Sequence, residues 1–228
     1  MGALVAGPAP FAHADLAGKT IVLDPGHGAS NAVPLTTQVP NGRGGTKDCN
    51  TTGTATNDGY AEHTFTWDVA SLIRTQLEGL GAKVVMTRND DTGPVPCVDQ
   101  RARIANDAQP AAIVSIHADG GPAAGHGFHV NYSSPPLNAA QSGVVTGLAP
   151  AMRDALSASG LTPSTYIGSG GLYGRADLAG LNLAEYPAVL VELGNMRNAG
   201  DAASMTSPEG QAAYAAAVVK GITAYLGG

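Results

Sequence analysis

The run Lys19-Thr20-Ile21-Val22-Leu23-Asp24-Pro25-Gly26-His27 reads as a short buried strand that stops at a sharp turn and leaves a histidine just beyond it. Two later runs have the same layout. Residues 111–116 read as a buried strand ending at His117-Ala118-Asp119-Gly120, and residues 187–193 as another carrying Glu192 near its end. Between them the period changes. Phe65, Val69, Leu72, Ile73, Gln76, Leu77 and Leu80 follow helical spacing over residues 62–80, with Gly79 and Gly81 marking the stop. A second strand is expected over 83–87, a short helix over 98–108 that leaves Arg101, Arg103 and Asp107 available to solvent or partners, and a fourth strand over 127–132. One long helix is expected over 137–159, and a last one opens at Ser207-Pro208-Glu209, an N-cap followed by proline. Strands alternating with helices predict an α/β fold with a mostly parallel sheet. No repeat or composition shift marks a second domain, so residues 1–18 read as a tail and 19–228 as one domain.

In a parallel sheet, strand C-termini and helix N-termini meet along one edge, where ligands bind. His27 and His117 follow strands, Glu192 lies near a strand end and Glu62 opens a helix, so the four are expected to converge although 165 positions separate the first from the last. Two imidazoles and a carboxylate form a common hydrolytic zinc set that leaves a fourth position for water. His27, Glu62 and His117 supply it, and Glu192 is the carboxylate left to handle protons. Singly, each residue has a plainer reading. A strand-end histidine is usually structural, a glutamate at a helix start suits the dipole, and Glu192 could pair with Arg175 or Arg197. Their joint placement on one edge favours the chemical reading. Asp24 is expected to serve turn amides or to orient His27, and Asp119 to serve His117 in the same way. His63, His126 and His129 are read as rim or cleft residues and not ligands, and Phe65 and Trp67 as packing.

At these residues the sequence resembles the zinc-dependent N-acetylmuramoyl-L-alanine amidases. The stretch Ile21-Val22-Leu23-Asp24-Pro25-Gly26-His27-Gly28 is similar to that family's opening motif, and Glu62 stands where its glutamate ligand is found. Ser115-Ile116-His117-Ala118-Asp119 and Pro187-Ala188-Val189-Leu190-Val191-Glu192-Leu193-Gly194 resemble its second histidine motif and its catalytic-glutamate motif. The resemblance implies a six-stranded twisted sheet flanked by helices, one Zn²⁺ per chain, and hydrolysis of the amide between the muramyl lactyl group and L-alanine of peptidoglycan stems. It also suggests that Arg175 and Asp177 lie near the approaching substrate. The chain looks most similar to short secreted mycobacterial amidases without a separate wall-binding domain. A zinc peptidase and a non-catalytic peptidoglycan-binding module are the competing readings.

Composition is consistent with this. Twelve Lys and Arg against 18 Asp and Glu give a formal charge of −6, which argues against nucleic acid or an anionic membrane as partner. Hydrophobic residues make up 43%, enough for a core. No run reaches the roughly 18 apolar residues of a membrane span. Residues 3–12 are small and apolar and lead to Ala12-His13-Ala14, like the end of a secretory signal with its cleavage site. The expected location is therefore the periplasm or cell wall, and nothing requires an oligomer. An even cysteine count beside such a leader favours a Cys49–Cys97 disulfide over free thiols or a thiolate metal site. Residues 28–59 lack any period. They read as a loop of unusual length, expected to form a flap beside the cleft restrained by that disulfide.

Overall fold

The computed structural model describes residues 16–227, so the leader pattern read over residues 3–14 lies outside them. Strand β1 (Thr20–Pro25) leads through the loop region to helix α1 (Glu62–Gly79) and strand β5 (Lys83–Met86). Helix α2 (Val98–Asp107), strands β7 (Ala112–Asp119) and β8 (His129–Ser133), and helices α3 (Ala139–Thr146) and α4 (Leu148–Ala158) follow. Strand β9 (Leu172–Arg175), the single turn α5 (Ala179–Asn182), strand β10 (Ala188–Asn195), α6 (Ala199–Met205) and α7 (Pro208–Gly227) complete the chain. Six strands form one sheet in the order β5-β1-β7-β10-β8-β9. The first four run parallel, β8 is antiparallel to β10, and β9 is parallel to β8. This is the expected single α/β domain with a mostly parallel six-stranded sheet.

Strand alternation divides the core. Ile21 and Leu23, Val114 and Ile116, and Val189 and Val191 turn to the face covered by α1, α4 and α7, where they meet Phe65, Ile73, Met152, Leu156, Val218 and Ile222. The residues between them, Val22, Ile113, Ala188 and Leu190, turn to the other face and form a smaller core with Ala105 of α2 and Leu181 of α5. The smaller core leaves part of that face uncovered. Continuing the alternation along it gives Asp24 on β1, Ser115 and His117 on β7, and Glu192 on β10. The same period that builds the core therefore aims the polar residues into the cleft.

Several expectations needed correction. The helix expected over 137–159 is two helices that break at Gly147, whose backbone lies at φ −117° and ψ −94°. Pro150 has no amide hydrogen to offer Thr146, so the ladder cannot run through this point. Leu72 is 37% exposed and belongs to the outer side of α1, while Phe65, Val69, Ile73 and Leu77 form its buried stripe. Arg101 is only 4% exposed, not available to solvent. Strands β7 and β10 run past His117 and Glu192, which therefore lie within the strands. Residues 28–59 carry structure of their own. Strand β2 (Ser30–Asn31) pairs with β6 (Pro94–Val95), and β3 (Gln38–Pro40) with β4 (Thr46–Asp48) makes an antiparallel hairpin. The sixth sheet strand, β9, escaped the sequence reading because it is a four-residue edge strand beside a glycine-rich turn. No described helix is long and apolar enough to cross a membrane.

Candidate metal centre and catalytic cleft

His27 follows the Pro25-Gly26 turn with φ at +56°, a left-handed backbone that non-glycine residues seldom adopt. Arg101 holds it there. This buried guanidinium donates to the His27 carbonyl at 2.6 Å and to the Pro25 carbonyl at 2.7 Å. Gly26 lets the His117 ring lie against the turn; a Cβ added at Gly26 would sit 2.2 Å from the His117 Cε1. Glu62 is the first residue of α1 and is buried, with its amide donating to the Thr54 carbonyl.

These three residues meet. Glu62 Oε1 lies 3.1 Å from His27 Nε2 and 3.0 Å from His117 Nδ1, and the two rings stand edge to face with centroids 4.8 Å apart. One donor atom from each lies within 4.8 Å of the others, so they could hold a single metal ion. The Thr51 carbonyl accepts from His27 Nδ1 at 2.9 Å. A carbonyl only accepts, so Nδ1 carries the hydrogen and Nε2 is the nitrogen free to ligate. Burial alone would raise the Glu62 carboxyl, but the hydrogen bonds and charges of His117 and His27 outweigh it and pull it well below the carboxylate range. Burial lowers the His27 imidazole; the Glu62 contact and the Thr51 carbonyl overcome this and raise it.

Glu192 faces the same space. It is register partner to His117 on β7 and to His129 on β8. Its Oε2 is buried without a hydrogen-bond partner, and neither Arg175 nor Arg197 pairs with it. Burial, followed by the charges of Glu62 and Asp119, pushes its carboxyl well above the ordinary value. An orphaned carboxylate oxygen beside a two-histidine, one-glutamate cluster is the arrangement expected where a cation is to bind. The four residues border a cavity of about 350 Å³ that runs on between α2 and α5 past Ser115, Ala105, Ile113 and Leu190.

The remaining predicted residues take other partners. Asp24 does not touch the His27 ring. Its carboxylate takes Thr87, Arg101 and Ser115 at 2.6, 2.9 and 2.6 Å, and so reaches His27 only through Arg101. Asp119 is bonded by the Tyr166 hydroxyl and the Gly120 amide, and not by His117. Arg175 and Asp177 pair with each other and stand outside the cavity wall, which Leu178 and Gly180 form instead. His63 pairs with Asp91, and Trp67 lies under Arg88. His126 is bound at the surface through its amide. Cys49 and Cys97 are joined by a disulfide. Sequence reasoning missed the roles of Thr51 and Thr54, because main-chain groups carry no residue-type signal, and it left open which of His126 and His129 lines the cleft. Neither is among the residues that line the cavity; His129 is 1% exposed, is register partner to Glu192, and is flanked edge-on by Tyr166 and Tyr173.

Comparison with known proteins follows the same line. The family described as N-acetylmuramoyl-L-alanine amidase matches residues 21–224. The N-acetylmuramoyl-L-alanine amidase Rv3717 of Mycobacterium tuberculosis is 53% identical over 232 residues, covering 99% of this chain and 96% of that protein. The crystal structure of the amidase Ami1 from Mycobacterium smegmatis superposes with a TM-score of 0.92 at 58% identity, covering 93% of this chain and 99% of that one. The apo form of Ami1 from Mycobacterium abscessus gives 0.90 at 64% identity, covering 92% and 99%.

Proposed function

Starting from the fact that this chain belongs to the N-acetylmuramoyl-L-alanine amidase family and is such an amidase, we propose that it works with one zinc ion held by His27, Glu62 and His117. In this reading it cleaves the bond between the muramyl lactyl group and L-alanine of peptidoglycan stems, outside the cytoplasm, in wall turnover. The observation that carries the reading is the convergence of one donor atom from each of three distant residues to within 4.8 Å, with the Glu192 carboxyl beside them. When bound, zinc would polarise the scissile carbonyl and ease deprotonation of water near neutrality.

The chain's own residues do the rest. The Thr51 carbonyl keeps the Nδ1 proton on His27 and leaves Nε2 as the ligand. The Thr54 amide and the Ala118 amide hold the two oxygens of Glu62, at 2.9 and 3.1 Å, so the carboxylate cannot swing out of the site. Glu192 is buried and unpaired, and its raised proton affinity suits a group that takes a proton from water and returns it to the leaving amine. His129, neutral because burial lowers it to about 4, adds no competing charge beside Glu192. All four principal residues come from one chain, which supports action as a monomer. Arg175 and Asp177 are assigned a supporting place on the substrate approach. The Arg175 charge partly offsets the upward shift of Glu192.

The test is product analysis on a defined muropeptide with the zinc-loaded protein, together with its metal content. A free lactyl carboxylate, a new L-alanine N-terminus and about one zinc per chain are expected. A shortened stem with the lactyl amide intact would overturn the bond assignment, and full turnover in metal-stripped protein would overturn the zinc assignment.

A further inference from the structure

Two separate segments grip His27, and the disulfide joins them. The first is the irregular run after Cys49. Thr51 takes the ring proton of His27 on its carbonyl at 2.9 Å, and its hydroxyl stands 3.3 Å from the same nitrogen. Three residues on, the Thr54 amide donates to Glu62 Oε2 at 2.9 Å while the Glu62 amide donates back to the Thr54 carbonyl at 2.9 Å. Gly53 lies between them at φ +76°; a Cβ there would come within 2.9 Å of both Glu62 Oε2 and the His27 ring. Residues 51–54 therefore lie directly against two of the three donor residues, with no slack between.

The second grip belongs to α2. Arg101, one turn into that helix, holds the His27 and Pro25 carbonyls and accepts no solvent in exchange, being 4% exposed. Its own amide donates to the Cys97 carbonyl, and its Nε to the Pro96 carbonyl at 3.1 Å. The bridge connects the two grips at their roots. Cys49 and Cys97 are 0% and 3% exposed and pack with Val39 and Val98, and the Val98 amide donates to the Cys49 carbonyl at 2.9 Å. The ring of His27 is thus fixed from one side of the cross-link and its main chain from the other.

We infer that the Cys49–Cys97 bridge is a positioning element of the metal centre: it locks residues 51–54 over His27 and Glu62, and so sets how tightly the site binds its ion. The inference rests on the zinc reading above and goes beyond it, since that reading requires only the ligands. Groups that orient metal ligands through hydrogen bonds are typically worth about ten- to a hundred-fold in metal affinity. Here those groups are main-chain atoms that no side-chain substitution can remove, and the cross-link is what fixes their position relative to α2.

The experiment compares the oxidised chain with two variants. One is the Cys49→Ala/Cys97→Ala double substitution. The other keeps the bridge and inserts two glycines after Asn50, which frees Thr51 from the cross-link without removing its stabilising effect. Zn²⁺ affinity is read by competition with a chromophoric chelator. The tautomer of His27 is read by ¹⁵N NMR of metal-free protein at alkaline pH, and folding by circular dichroism. Both variants should remain folded, bind Zn²⁺ about ten- to a hundred-fold more weakly, and show mixed His27 tautomers where the parent shows Nδ1–H alone. Parental affinity and a single Nδ1–H tautomer in the variants would overturn the inference. If the double substitution does not fold, the glycine insertion decides. If the parent binds no zinc, the zinc reading fails, and the tautomer comparison alone decides whether the bridge positions His27.

Discussion

Glu192 and Asp24 are both carboxylates on the open face of the sheet, and their surroundings drive them in opposite directions. Burial and the nearby Glu62 and Asp119 charges push Glu192 up. Replacing it by glutamine keeps its shape and removes its ability to carry a proton. Glu192→Gln should lower kcat by about 10²- to 10⁴-fold while zinc content stays at the parental level, measured by turnover and elemental analysis. Burial also raises Asp24, but the Arg101 charge and the Ser115 and Thr87 hydrogen bonds outweigh it and hold it at about 2, against an ordinary 3.8. Its folded value lies below its unfolded one, so the stability it provides is complete above pH 3.8 and is lost as pH falls towards 2. The amount is about 2 kcal/mol. His129 acts in a higher window. Burial lowers it to about 4 from 6.5, so the unfolded chain takes up its proton first and stability falls as pH drops from 6.5 to 4. This loss amounts to about 3 kcal/mol. Urea midpoints of metal-free protein measured against pH should show both steps, with the lower one absent in Asp24→Asn.

At the scale of elements, α1 has two duties that its sequence keeps apart. Its buried stripe of Phe65, Val69, Ile73 and Leu77 anchors it to the sheet, while Glu62 at its first position meets His27 and His117. Phe65 is fully buried and meets Tyr214 of α7 edge-on with centroids 5.8 Å apart. Phe65→Ala should therefore cost about 3–5 kcal/mol of unfolding free energy, read from the denaturant midpoint, and leave zinc stoichiometry unchanged because the Thr54 and Ala118 amides also hold the Glu62 carboxylate. The hairpin β3–β4 is tied down at its tip. Arg43 donates to Asn182 at 3.1 Å, to Ser133 at 2.9 Å and to the Pro135 carbonyl at 2.6 Å. Lys47 reaches the Asp177 carbonyl at 3.1 Å. Residues expected to form a flap restrained by the disulfide are thus also bound across the smaller face of the sheet by part-buried polar contacts that span 139 and 90 positions of sequence. A composition rich in Gly, Thr and Asn gives no sign of such contacts.

For the molecule as a whole, the carboxylates of Glu62, Asp119 and Glu192 share one cleft with the His27 and His117 imidazoles, and the Glu62 and Asp119 charges act against ionisation of Glu192. Ligand binding to the folded form alone stabilises it by mass action. With free Zn²⁺ at 100 times its dissociation constant the gain is about 2.7 kcal/mol, which for a chain of this size raises the melting temperature by about 5–10 °C. Calorimetry of the metal-free protein with and without Zn²⁺, reversed by chelator, checks this. A midpoint that does not move would mean the folded chain has no preferential site for the ion.

Much of this could be read from the chain alone. The β-branched runs ending at His27, His117 and Glu192, and the 3.6-residue stripe opening at Glu62, pointed to an α/β sheet with parallel strands and to four residues that the structure brings to one cleft, because side-chain periodicity is a local property of sequence. Tertiary structure decided the rest. Strand order, the reversal of β8 and β9, and the break of a long helical pattern at Gly147 depend on which faces can be buried together. Residues with the same local signal were sorted by their neighbours: Arg101 went to the buried side of His27, Asp24 to a supporting network and His129 to the flank of Glu192. The orientation of His27 and Glu62 belongs to the Thr51 carbonyl and the Thr54 amide, main-chain groups that carry no residue-type signal, and only their position in space gives them a task.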